Sequence, residues 1–444
     1  MIQPFYRDNV ATIYCCSALE AMCNMPDNSI DAIVTDPPYE LGLLGKKWDK
    51  SGIAYNIDMW REALRILKPG SHLLAFGGTR TYHRMVCAIE DAGFEIRDML
   101  EWIYKNGFPK NVNISKAIDQ AAGVKRKIIG SKVGLPIYSL KPNDTNNHDR
   151  KVYGKYTNVN SECTITAQAT KLAKQWEGFG TALKPAHEPI VLARKPLSEK
   201  TIIKNCIKYG TGALDIDGCR IPTSDTPSKW FDEKTRKNPG FKLTPEKNNE
   251  ITSKPHNLGR FPANICVSQD ALNDGEITKS TRIEKPCMYD KKTNIFVGTF
   301  QRNRGSRGYN DSGSKSRYFD IEAWAENRGL IQIPKASKKE KNTGFEESNT
   351  KNNHPTVKPI HLMLWLVRLV SKKNDTILDP FCGSGTAGCA AKILGRKAIL
   401  IELEKQYCEI AAKRIAFQEQ PKALNEIKPI AKKKFKDFKN GIVL

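Results

Sequence analysis

Two strand-to-turn motifs stand 343 residues apart in a chain of 444, and they constrain the fold more than any other feature. Asp36-Pro37-Pro38-Tyr39 follows the apolar stretch Asp31–Thr35. Asp379-Pro380-Phe381-Cys382-Gly383-Ser384-Gly385-Thr386 follows Thr376–Leu378. If the two turns serve one site, one sheet must draw its strands from both ends of the chain, and the middle must be an insertion.

The flanks of both motifs support such a sheet. After Asp31–Thr35, the spacing predicts a helix over Met59–Leu67, stopped by Lys68-Pro69-Gly70, then a strand over Ser71–Phe76. A helix over Thr81–Ala92 with Gly93 just past its end, and a strand over Phe94–Tyr104, complete the first half. In the second half a strongly apolar helix is expected at Ile360–Val370, after Pro359. Strand Thr376–Leu378, helix Thr386–Leu394, strand Lys397–Ile401 and helix Lys405–Phe417 follow. Strands alternating with helices of this length predict an α/β, Rossmann-like doubly wound parallel sheet assembled from N- and C-terminal segments.

Between these halves the texture changes. Clusters of Asn, Lys, Ser, Gly and Pro break up short apolar runs, so the expected division is 1–125, a basic insert 126–350, 351–420, and a Lys-rich tail 421–444. Charge follows the same division. Residues 1–108 carry 11 Lys and Arg against 14 Asp and Glu, and 376–444 carry 13 against 7. Of the 71 basic and 48 acidic residues this leaves 47 against 27 for 109–375, nearly all of the net +23. Clustered Lys and Arg displace counterions from phosphates, which points to a polyanion. No apolar run of 18 residues exists, so no membrane span is expected. The first residues lack the basic-then-apolar pattern of a secretory signal. The twelve cysteines include no Cys-x-x-Cys pair, so no metal site is expected and a reducing cytoplasm fits.

The late motif places a strand, then Gly383-Ser384-Gly385, then a helix, a pattern that lets backbone approach a ligand at the carboxyl edge of a sheet. Glu402 ends the next strand, 17 positions after Gly385, and suits the two hydroxyls of a ribose. Asp379 suits an ammonium group. A tight turn without ligand is the plain alternative, and the motif alone does not separate a nicotinamide cofactor from S-adenosylmethionine.

The early motif does separate them. Two prolines after Asp36 hold the chain extended and remove two N–H donors. The Asp36 carboxylate and the Pro37 carbonyl then present only acceptors, which suits an exocyclic amine with its two hydrogens. Held so, the nitrogen lone pair turns toward an electrophilic methyl group. Tyr39 can stack on the base, a contact worth roughly 1–3 kcal/mol. A base within a duplex must be flipped out to reach such a turn. The basic insert could grip the phosphates, and Arg302, Arg304, Arg307 and Arg317 with Tyr309, Tyr318 and Phe319 mix base-edge donors with stacking rings. Trp176 and Phe179 form a second aromatic pair.

These segments resemble the β class of S-adenosylmethionine-dependent DNA amino-methyltransferases, which modify adenine N6 or cytosine N4. Asp27–Tyr39 looks like the catalytic segment and Asp379–Thr386 like the cofactor loop. His354-Pro355-Thr356-Val357-Lys358-Pro359 is similar to the segment that lines the cofactor site. The order of catalytic segment, insert and cofactor loop is the order that defines the class. Trp176–Leu197, Gly259–Ile265 and Arg317–Glu340 resemble phage and restriction–modification members.

The resemblance implies that Asp36, Pro37, Pro38 and Tyr39 handle the amine. It implies cofactor contacts from Asp379, Phe381, Gly383, Gly385, Thr386, Glu402 and Lys358, and a target-recognition role for 126–350. Many relatives carry Gly-Asp before the catalytic strand; here Cys16-Ser17 stands there, and Ser17 takes the cofactor position without the charge. The implied activity is methylation of adenine N6 in double-stranded DNA, with cytosine N4, or a weakened DNA-binding relative, as alternatives. A homodimer and a cognate restriction enzyme are the further partners such proteins have, in the cytoplasm of a bacterium or phage-infected cell.

Overall fold

The computed structural model describes residues 2–42, 47–105, 107, 111–133, 162–223, 259–268, 270–279, 312–328, 342, 344–345 and 352–418. In chain order the strands are β1 (Tyr6–Arg7), β2 (Ala11–Cys15), β3 (Ile30–Thr35), β4 (Leu67–Phe76), β5 (Glu95–Ile103), β6 (Ile128–Val133), β7 (Glu162–Thr166), β8 (His187–Arg194), β9 (Ile265–Val267), β10 (Thr278–Lys279), β11 (Ser312–Gly313), β12 (Thr376–Asp379) and β13 (Lys397–Glu402). Nine of them form one sheet, ordered β1-β2-β13-β12-β3-β4-β8-β5-β9. From β2 through β4 the pairings are all parallel.

The two halves of the chain therefore interleave, as the order of the motifs predicts. C-terminal β12 and β13 lie between N-terminal β2 and β3. Beyond β12 the chain moves toward β13, whereas beyond β3 it moves toward β4. The gap between β12 and β3 is thus a topological switch point, where open α/β sheets bind ligands.

Alternation along β3 explains the two helix layers. Ala32 and Val34 belong to a core that includes helix Ile360–Val370, Ala387, Ala390 and Ile415. Ile33, and Ile30 across the register irregularity that precedes Ala32, belong to a second core on the other face with Met59, Trp60, Ala63, Met85 and Ile89. Helix Ile360–Val370 buries nine of its residues, as a helix apolar all round should. Its Trp365 indole donates to the Cys219 carbonyl at 3.2 Å, so the polar edge of the ring is not left unpaired.

The expected elements are found with shifted ends. The helix expected from Met59 begins at Ile57, because the Asn56 side chain caps it by accepting from Asp58 N at 2.9 Å. The following strand starts at Leu67 rather than Ser71, since Leu67 already pairs with Ile30 and Gly70 N donates to the Lys195 carbonyl at 3.1 Å.

The largest difference lies in the insert. The described residues fall into two compact units, one within 1–105 and 187–444 and the other within 106–186. Much of the expected 126–350 segment therefore belongs with the sheet. β8 runs antiparallel between β4 and β5, Ile190 to Ala193 are buried, and Cys219, Ile221, Ile321 and Trp324 join the first core. Composition marks where polar residues accumulate. It does not mark which short apolar runs between them find a place in the sheet.

The second unit contains the antiparallel pair β6–β7 and helices Ile114–Ala121 and Lys171–Gln175. Buried Asp119 ties it together, accepting from Ala169 N, Thr170 N and Thr170 Oγ1 at 2.8–3.0 Å. Trp176 and Phe179 meet edge to face at 5.1 Å and remain 43% and 55% exposed.

Candidate active site

The two motifs leave adjacent parallel strands. Leu378 pairs with Ile33, and Thr35 Oγ1 donates to Asp379 Oδ1 at 2.7 Å, directly before Asp36. Asp36 and Asp379 therefore share one edge of the sheet, at the switch point.

On the β12 side the turn is held by its own protein. Asp379 Oδ1 also accepts from Phe381 N at 3.1 Å. Glu402 accepts from Gly383 N and Glu404 N, both at 2.9 Å, so it shapes the turn while its remaining lone pairs stay available. Buried Arg414, on helix Lys405–Phe417, donates from Nη1 to Ser384 O, Ser384 Oγ and Thr386 Oγ1 at 2.6, 2.8 and 3.0 Å. Gly385 has φ +76°, and a Cβ there would lie 2.8 Å from the Ala411 Cβ, so glycine is required on both counts. Burial pushes the Asp379 carboxyl up to about 7, with the nearby Asp36 and Glu402 charges adding to the rise.

On the β3 side the turn is held by charge. Lys358 Nζ donates to Asp36 Oδ2 at 2.5 Å and stands 3.4 Å from Glu188 Oε2, and the Tyr39 hydroxyl donates to Glu188 Oε2 at 2.8 Å. The Asp36, Lys358 and Glu188 side chains are 20%, 9% and 21% exposed. The Lys358 ammonium also lies 5.3 Å from the Tyr39 ring centre and 4.9 Å from that of Phe76. Thr81 Oγ1 donates to the Tyr39 carbonyl at 2.8 Å and fixes the end of the turn. Asp36 Oδ1 is buried and accepts no hydrogen bond. Burial raises the Asp36 carboxyl above its usual range against the opposing pull of Lys358, and Tyr39 is pushed well above 10. A cleft lined by Pro38, Tyr39, Tyr55, Gly78, Tyr82 and Met85 lies at the ends of β3 and β4.

Residues 30–413, which include both turns and all the strands from β3 to β13, match the profile of a family described as DNA methylase, of the N6 and N4 type. The chain belongs to this DNA methylase family. Over 62 residues it is 53% identical to the type II methyltransferase M2.LlaDCHI of Lactococcus lactis subsp. cremoris, a match that covers 14% of this chain and 23% of that one. Over 85 residues it is 42% identical to the type II methyltransferase M.HinfI of Haemophilus influenzae, covering 19% and 21%. The chain thus spans less than a quarter of the length of these curated relatives. Among solved structures it is similar to the PvuII DNA methyltransferase (cytosine-N4-specific), at 13% identity and a TM-score of 0.41, over 93% of this chain and 88% of that one.

Set against the residues expected from sequence, the chain brings Asp36, Pro37, Pro38, Tyr39, Asp379, Phe381, Gly383, Gly385, Thr386 and Glu402 to one edge of the sheet. Lys358 is there too, and its ammonium engages the Asp36 turn. Ser17 follows β2, whose Cys15 pairs with Glu402, and its hydroxyl caps helix Ala18–Cys23 by accepting from Glu20 N at 3.2 Å. Arg317 is engaged locally, donating to Thr278 Oγ1, Gly313 O, Ser314 O and the Tyr318 hydroxyl, so its guanidinium is not presented outward as a free reader of bases. Arg302, Arg304, Arg307, Tyr309 and the tail 421–444 lie outside the described residues.

Sequence reasoning missed Glu188, Thr35 and Arg414. Thr35 immediately precedes the Asp-Pro-Pro-Tyr turn and was within reach of a closer reading. Glu188 and Arg414 have no local signal. Among the described residues no group of three or more His, Cys, Asp or Glu is placed to hold a metal, and no helix is long and apolar enough to cross a membrane.

Proposed function

We propose that the chain methylates the exocyclic amine of a flipped-out base in double-stranded DNA, at adenine N6, as a modification enzyme of the restriction–modification type. One observation carries the reading: the buried, unpartnered Asp36 Oδ1 stands at the strand end next to the glycine turn. A buried acceptor without a donor costs roughly 1–3 kcal/mol, and an amine hydrogen would remove that cost. The Pro37 carbonyl, followed by a second proline, is the acceptor for the other hydrogen.

The residues present fit S-adenosylmethionine. Gly383 and Gly385, at φ +50° and +76° and packed close against His354 and Ala411, give the turn its tight shape, Asp379 offers a carboxylate for an ammonium group, and Glu402 has free lone pairs for ribose hydroxyls. When bound, the cofactor supplies an electrophilic methyl on a sulfonium. The chain's own part is positioning and desolvation. Asp36 Oδ1 and the Pro37 carbonyl orient the amine, Tyr39 and the aromatic cleft hold the base plane, and ionised Asp36 is placed to take the surplus amine proton. Asp rather than Ser before Pro-Pro-Tyr favours adenine. The net positive middle of the chain supplies the phosphate contacts.

Mass spectrometry of digested DNA from cells expressing the chain tests this. N6-methyladenine is expected, N4-methylcytosine would reverse the base assignment, and unmodified DNA would remove the reading.

A further inference from the structure

The geometry points to Glu188 as a positioning residue of the catalytic turn: from β8 it holds the Tyr39 hydroxyl and the Lys358 ammonium, and so sets where the free oxygen of Asp36 and the ring of Tyr39 stand. The inference rests on the methyltransferase reading and deepens it.

The placement follows from topology. β8 is antiparallel to β4, so its first residues lie at the carboxyl edge of the parallel strands, where the two turns are. Gly77 N, just past β4, donates to the Pro189 carbonyl at 2.9 Å, and Glu188 pairs with Trp102 of β5. A carboxylate 152 positions beyond Asp36 in the chain thereby reaches the catalytic turn from the opposite strand direction.

Asp36, Lys358, Glu188 and Tyr39 form a continuous chain of contacts in that order. Two carboxylates share one ammonium, so the cluster carries one net negative charge beside the unpartnered Oδ1. That charge opposes the positive charge that an attacking amine develops before its proton leaves. Tyr39, pushed well above 10 by burial and by both carboxylates, stays neutral and donates. Without Glu188 the phenol loses its acceptor and the Lys358 ammonium is left to Asp36 alone. The amine would then meet a carboxylate more fully neutralised and a ring less firmly oriented.

The groups facing Asp36 are Lys358, Tyr39 on its own turn, Glu188 on β8, and Asp379 on β12; Tyr104, at the end of β5, faces Glu188. Asp36 must be ionised to take the surplus amine proton. Because the Glu188 charge helps raise its pKa, neutralising Glu188 lowers that pKa and carries the acid limb of the rate profile to lower pH.

The test uses the full chain, tritium-labelled S-adenosylmethionine and unmodified bacterial genomic DNA. In Glu188→Gln, kcat should fall about 10- to 100-fold, the size expected for loss of orientation at a reacting centre. KM for the cofactor should hold within about twofold, and the acid limb should shift downward. Tyr39→Phe, which removes one oxygen and keeps the fold, should lower kcat as well, and adding Glu188→Gln to it should cost less than the product of the two losses. Unchanged kcat in Glu188→Gln, or a loss with an unmoved acid limb and strictly multiplicative effects, overturns the assignment. Should Glu188→Gln not fold, an unchanged kcat in Tyr39→Phe overturns it alone. Wild-type protein that labels no DNA instead removes the methyltransferase reading itself.

Discussion

The two turns at the sheet edge are neighbours built in opposite ways. The glycine turn after β12 is satisfied from within: Arg414 holds Ser384 and Thr386, Glu402 holds Gly383, and Thr35 holds Asp379. The Asp36 turn after β3 is held by a buried ion pair and keeps one oxygen without a donor. On the function proposed above, the difference teaches how one edge can serve two tasks. A site that must wrap a flexible cofactor is best rigid before it arrives. A site that must turn an amine needs an acceptor kept dry and unoccupied, and a folded protein tolerates that only where charges around it hold the geometry.

The contrast is tested most severely by Asp36→Ala. Methylation should fall by about 10²–10³-fold or more while the thermal midpoint stays near wild type, because Glu188, 3.4 Å from the Lys358 ammonium, still leaves that charge a partner. A large fall in midpoint would erase the distinction. Arg414→Met should behave in the opposite sense. It leaves Ser384 and Thr386 without their donor and should cost about 2–4 kcal/mol by urea titration, with weaker cofactor binding as a consequence.

Asp379 sharpens the comparison through pH. Its carboxyl, raised to about 7 by burial, binds a proton in the fold at pH values where the unfolded chain has lost it. Stability from this group is therefore greatest near pH 4 and declines as pH rises to 7. A cationic ligand needs the ionised form, so cofactor affinity by calorimetry should rise up to about tenfold per pH unit below 7 and level off above it. Asp379→Asn should flatten both curves. The smallest effect is expected from Ser17→Ala, which removes the cap of helix Ala18–Cys23 at a cost of about 1 kcal/mol. Ser17→Asp should keep the cap and tighten cofactor binding by a few-fold if the position faces the cofactor.

Local signals carried a large part of the fold. Helix Ile360–Val370 was legible because every turn of it is apolar and a proline precedes it. Helix Lys405–Phe417 and strands β3, β12 and β13 were legible from period and flanking turns. The turns were legible because proline pairs and closely spaced glycines dictate backbone geometry wherever they stand. The insert was not. β8 reads as one apolar run among several in a polar stretch, and its place is decided by pairing with β4 and β5, whose partner residues stand 84 to 122 positions earlier in the chain. Lys358 was read as a cofactor residue from its neighbours in sequence. Its ammonium lies against Asp36, because a lysine this buried needs a carboxylate within reach.

By itself, then, the order of residues determined that two turns exist and what each can accept, since these follow from dihedral limits and periodicity within a few residues. The tertiary structure alone decided which charges surround the target acceptor. An antiparallel strand brought Glu188 to that edge, and burial made its charge count, and neither pairing across such separations nor desolvation has a signature in neighbouring residues.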